Sequence, residues 1–129
     1  MRPTTDLRPE PSTPPSTHGL RIAAVMSVPR LGFMDNFFCA YQALMPLKIP
    51  LRRYQGAFWG QCIERTFEDT IAQGNVDAIL AIDYDTVFHR VDIEDLAAML
   101  VSYPEADAIV PLQAARHKPE PLFTMHLPE

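Results

Sequence analysis

The amino-acid sequence predicts an α/β fold: a three-layer α/β/α sandwich around a mostly parallel sheet. Three observations carry this. Residues 76–82 form a near-continuous apolar run, the pattern of a strand covered on both faces within a parallel sheet. Just before it, residues 59–73 carry Trp59, Cys62, Ile63, Phe67 and Ile71 on one helical stripe. Along the chain, strand-like and helix-like segments alternate, which argues for crossover connections rather than hairpins.

Taken in order, residues 1–19 hold five of the 13 prolines among Thr, Ser and charged residues, too little apolar surface to offset ordering, and read as a disordered tail. The folded domain, residues 20–129, opens with an apolar strand over 21–28 that Pro29 and Gly32 stop. Over 33–45, Phe33, Phe37, Phe38, Tyr41, Leu44 and Met45 recur at helical spacing, most of them on one face, and Pro46 ends the helix. A second strand over 49–54 has Pro50 near its start and Arg52 and Arg53 near its end, which suits a less central position.

Gly74 supplies the stop for the 59–73 helix. After the 76–82 strand, Asp92 reads as the N-cap of a third helix running to about Ser102, with Asp95 three residues on and Pro104 as its terminator. Residues 107–112 supply one more short strand, and the remainder is Pro-rich and irregular.

Composition narrows the function classes. A formal net charge of −5 and a pI near 5.3 argue against general binding to nucleic acid or to anionic membranes, although local anion sites remain open to an acidic protein. Cys39 and Cys62 sit among apolar neighbours in helical segments and read as buried reduced thiols, and no Cys/His spacing resembles a zinc site. The N-terminus has no apolar signal region, and no run approaches the roughly 18 apolar residues of a membrane span, so a cytoplasmic location is expected.

The apolar strand ends in Asp83-Tyr84-Asp85. Acids at the carboxyl end of a buried strand serve bound metals or phosphates, whereas acids inside it would be costly. If the backbone stays extended past Ile82, Asp83 and Asp85 point to the same side, where they repel unless a cation intervenes. Mg²⁺ or Mn²⁺, held partly by these oxygens and partly by a diphosphate, would relieve the repulsion. The plainer reading is a solvated turn capped by one of the aspartates.

Gly60-Gln61-Cys62-Ile63-Glu64-Arg65-Thr66-Phe67, then Asp77-Ala78-Ile79-Leu80-Ala81-Ile82-Asp83-Tyr84-Asp85-Thr86-Val87-Phe88, a capped helix and Ala106-Asp107-Ala108-Ile109-Val110-Pro111, together resemble glycosyltransferases of the GT-A fold, especially the family 2 type. The resemblance covers about residues 21–115 and implies a Rossmann-like half that binds a nucleotide sugar through a divalent metal, Mn²⁺ or Mg²⁺. It implies Asp85 as the direct metal ligand and Asp83 toward the ribose or a metal-bound water. It also places Ser27, Val28 and Pro29 where such folds hold the nucleobase, and Arg65 where an arginine often approaches the nucleotide. On its own helix Arg65 reads equally as an i,i+4 partner of Asp69. Complete GT-A enzymes are much longer, so the resemblance implies a truncated domain, with the catalytic base and the acceptor outside these residues.

Other residues have plainer readings. His117 and His126, and the basic group Arg116, His117 and Lys118, read as exposed loop residues; Phe58 and Trp59 as core or as a hydrophobic staple; Asp35 as a helix N-terminal charge. Two rivals stay open. Asp83-Tyr84-Asp85-Thr86-Val87 also fits the first motif of haloacid-dehalogenase-like phosphatases, with Asp83 as nucleophile and Asp85 as acid/base. That motif normally lies on the first strand, and no lysine falls between Lys48 and Lys118 to serve the later phosphate-binding motif. The other rival is a non-catalytic module, in which open sheet edges favour a protein partner or a homo-oligomer.

Overall fold

An uncharged run of seven residues, Ile22–Val28, forms the central strand β1. In this computed structural model the protein is described over residues 13–29, 31–56, 58–114 and 121–122. The chain continues through α1 (Met34–Leu44), β2 (Leu51–Gln55), α2 (Trp59–Gln73), β3 (Ala78–Asp83) and α3 (Arg90–Ser102). Two short strands follow, β4 (Gln113–Ala114) and β5 (Pro121–Leu122), paired antiparallel. Among the described residues the main sheet has three parallel strands in the order β2-β1-β3 and there are three helices, so the fold is α/β with a parallel sheet.

β1 is central because its side chains are apolar in both directions. Ala24 and Met26 enter a core with Cys39, Ala40, Ala43 and Leu44 of α1, Ile82 of β3 and Ile93 of α3. The alternate residues Ala23, Val25 and Ser27 are buried as well. α2 packs on β1 and β2. It buries Thr66 and Thr70, whose hydroxyls donate to the carbonyls of Cys62 and Thr66 one turn back at 2.5 and 2.7 Å. Gly74 ends α2 at φ 67°, a left-handed cap that favours glycine.

Four expectations need correction. The aromatic stripe of α1 faces outward: Phe33, Phe37, Phe38, Tyr41 and Met45 are exposed, and of that stripe only Leu44 is buried. The sheet instead receives the small side chains Cys39, Ala40 and Ala43, which allow close approach of helix to strand. β3 is not covered on both faces as expected: only Ile82 is buried and Ala81 is exposed, and among the described residues the strand pairs with β1 alone, at the edge of the sheet.

Residues 107–112 form no strand. Pro111 has no N–H to give a ladder, a turn joins Tyr103 to Ala106, and Val110 is 81% exposed. α3 starts one turn earlier than expected, at Arg90: the His89 N–H donates to the Asp92 carboxylate at 2.8 Å, so Asp92 closes the first turn from inside the helix.

The edge position of β2 is as its Pro and Arg residues suggested; there the Ala24 N–H donates to the Pro50 carbonyl at 2.8 Å. Residues 13–19, read as tail, touch α3. The Ser16 N–H donates to Glu94, and the buried Arg90, paired with Glu94 at 3.1 Å, donates to the Thr13 carbonyl. Residues 1–12 lie outside the described residues. Among the described residues, no helix is long and apolar enough to cross a membrane.

Candidate functional site

The path of the chain locates the site. From β1 it moves to β2 on one side, then crosses back to β3 on the other, so the connections diverge between the carboxyl ends of β1 and β3. Crevices at such switch points are where open parallel sheets bind ligands. Register places Asp83, the last residue of β3, beside Ser27 near the end of β1.

Beyond Asp83 the backbone does not stay extended. The Thr86 N–H donates to the Asp83 carbonyl at 3.2 Å, closing a turn with Tyr84 and Asp85 at its corners. Both carboxylates are exposed at this turn, and the same-side argument for an extended strand does not apply to them. Their local arrangement follows from the turn instead.

The turn is held from α1. Asn36, 4% exposed, donates its side-chain amide to the Asp83 carbonyl at 3.2 Å and to the Thr86 carbonyl at 2.7 Å. The Cys39 thiol lies 3.6 Å from the Thr86 carbonyl and donates to the Asn36 carbonyl at 3.2 Å; burial pushes this thiol up from its ordinary pKa, which keeps it protonated and able to donate. Phe33 stacks on Tyr84 with ring centroids 5.8 Å apart. Sequence reasoning missed Asn36. The signal was present in the run Asn36, Cys39, Ala40, Ala43, a stripe of small and polar residues at helical spacing that marks the face able to approach a strand closely.

A cavity of about 350 Å³ opens beside the turn, between α1 and the carboxyl ends of β1 and β2. Val28, Pro29, Phe33, Asn36, Arg53 and Tyr84 contribute to its wall, so aromatic faces, amide groups and one guanidinium line the same space. Comparison with family models, curated proteins and solved structures gives no match.

Of the residues singled out from sequence, Ser27, Val28, Pro29, Asp83 and Asp85 gather at this end of the sheet. Ser27 is buried, while Val28 and Pro29 border the cavity. Arg65 is exposed on α2, where its charge acts on Tyr54 of β2. The Tyr54 hydroxyl donates to Asp69, and that bond raises its pKa. Asp69 is thus engaged by a tyrosine. Phe58 and Trp59 are 68% and 52% exposed at the start of α2, so neither is core. Asp35 lies in the first turn of α1, as its helix-terminal reading required. Arg116, His117, Lys118 and His126 fall outside the described residues.

Among the described residues, no group of three or more His, Cys, Asp or Glu side chains is arranged to hold a metal. Asp83 and Asp85 are the two carboxylates at this turn. Two carboxylates suit Mg²⁺ or Mn²⁺, ions that retain water and share coordination with phosphate oxygens instead of demanding an all-protein cage.

Proposed function

We propose that this chain is the nucleotide-sugar-binding part of a GT-A-like glycosyltransferase, built as a three-layer α/β/α half-domain. The observation that supports this reading most is the acidic turn Asp83-Tyr84-Asp85 at the end of β3, beside the divergence of the β1 and β3 connections and held there by Asn36. Asp85 and Asp83 would hold a divalent cation, Mg²⁺ or Mn²⁺. When bound, that ion supplies charge neutralisation at the diphosphate of the donor, whose departure builds negative charge. The neighbouring cavity, with Val28 and Pro29 at the end of β1 and ring faces from Phe33 and Tyr84, offers the flat apolar surface that a nucleobase needs. Arg53 on its wall supplies a cation of the kind that meets a phosphate.

Calorimetric titration with UDP-, GDP- and CMP-sugars in the presence and absence of Mn²⁺ tests the proposal. One donor is expected to bind in a metal-dependent way, and Asp85→Ala, a change at an exposed turn, is expected to abolish binding while leaving the circular dichroism spectrum unchanged. A folded wild-type protein that binds none of these donors would sink the reading. Release of phosphate from a phosphomonoester with Mg²⁺ would instead favour Asp83 as a phosphatase nucleophile.

A further inference from the structure

We propose that the outward face of α1 is the seam of a homodimer, closed by antiparallel packing against α1 of a second copy. α1 turns Asn36, Cys39, Ala40, Ala43 and Leu44 inward. Its opposite face, continued one residue past the helix, carries Met34, Phe38, Tyr41 and Met45, between 51% and 63% exposed. Their separations are four, three and four residues, the a/d spacing by which one helix seats knobs in the holes of another. Phe33 and Phe37, 44% and 50% exposed, widen the face on one flank. No charged side chain interrupts it; Asp35 and Gln42 fall on the other flank.

The size suits a protein interface. Four half-exposed aromatic side chains and two methionines present on the order of 600 Å² of apolar surface, taking about 200 Å² for each whole aromatic side chain. That is at the upper end of the largest apolar patch on a typical monomer, roughly 300–600 Å², and approaches the roughly 800 Å² each partner contributes to a standard interface. A membrane surface fits less well, because α1 has no Lys or Arg to meet lipid headgroups and the chain carries a net charge of −5.

The order of residues selects a second copy as occupant. Read in either direction, the seam is methionine, aromatic, aromatic, methionine with the same spacing. An antiparallel copy related by a two-fold axis therefore sets Met34 against Met45 of the second copy and Phe38 against its Tyr41, each contact made twice. Rings meet rings at the centre and sulfur meets apolar surface at both ends, while the helix dipoles run opposed. Because Phe33, Met34 and Phe37 also border the 350 Å³ cavity, the second copy would stand beside the mouth of that cavity. Asn36, on the inward face, is left undisturbed.

Sedimentation equilibrium of the full chain over about a hundredfold range of concentration should show a mass rising from 14.6 kDa toward twice that value. Phe38→Glu, which buries a charge at the centre of the seam, should weaken the dimer by about thirtyfold or more without altering the far-ultraviolet spectrum. Geometry is tested separately by oxidative cross-linking. Met34→Cys mixed with Met45→Cys should give a disulfide-linked pair, and Met34→Cys alone should not. A wild-type protein that stays monomeric throughout assigns the seam to another occupant and overturns the proposal. So does a dimer that survives Phe38→Glu, or preferential cross-linking of Met34→Cys to itself.

Discussion

Asn36 ties the candidate site to α1, because its single amide group donates to two backbone carbonyls of the acidic turn. Its removal in Asn36→Ala leaves the Asp83 and Thr86 carbonyls without that donor in a part-buried setting, a loss of about 1–3 kcal/mol. Urea denaturation followed by circular dichroism should show that loss as a lower midpoint with an unchanged slope. Asn36→Asp should be worse, since a carboxylate has no proton to donate and would face two acceptors. The two aspartates were legible in the sequence because two charges directly after an uninterrupted apolar run mark where a strand ends. Asn36 was not, because an asparagine near a helix start reads first as a local cap. Only the inward turn of that helix face converts it into a clamp on a turn 47 to 50 residues away.

At the scale of elements, apolar periodicity located the three helices and the first three strands, yet periodicity says which residues share a face and not which face is covered. In α1 both faces are apolar enough to be core, and packing chose the one with the smaller side chains. The 107–112 segment failed for a different reason: its apolar residues are those of a strand, but a strand also needs ladder hydrogen bonds, and Pro111 cannot donate one. Where β1 and β3 begin, polar chemistry sets the register. Arg21 donates to Asp77 through its backbone N–H at 2.8 Å and its guanidinium at 2.9 Å, and the Asp77 N–H returns a bond to the Arg21 carbonyl at 2.7 Å. These contacts hold the Asp77 carboxyl at a pKa of about 2, below its ordinary 3.8. A folded-state pKa lowered in this way contributes stability that is fully present above the ordinary value and is lost as pH falls from 3.8 through about 2. Asp77→Asn should therefore lower stability at neutral pH, and the gap from wild type should close across that acid window in thermal melts. A gap that stays constant with pH would show that the carboxylate charge is not what holds the two strands in register.

For the molecule as a whole, the strand order β2-β1-β3 leaves β3 with one edge unpaired among the described residues, and an open edge in a parallel sheet is where further strands add. A groove of about 1010 Å³ runs along this edge, walled by Phe67 and Ile71 of α2 and by Leu96 and Leu100 of α3. Residues 106–111 line it without joining the sheet, so the space beside this edge is bordered by chain that makes no ladder. Hydrogen exchange can read this arrangement directly. The Ala78 N–H donates toward β1, to the Arg21 carbonyl at 3.3 Å, and side alternation then turns the amides of Leu80 and Ile82 toward β1 and those of Ile79 and Ala81 toward the groove. Native-state exchange followed by NMR should show Leu80 and Ile82 protected to nearly the same level as β1, with Ile79 and Ala81 exchanging at least about tenfold faster because no carbonyl among the described residues receives them. Equal protection at all four positions would mean that a fourth strand covers the edge in solution. The contrast between the two pairs of amides, rather than the overall rate, decides the matter, since global unfolding exposes all four alike.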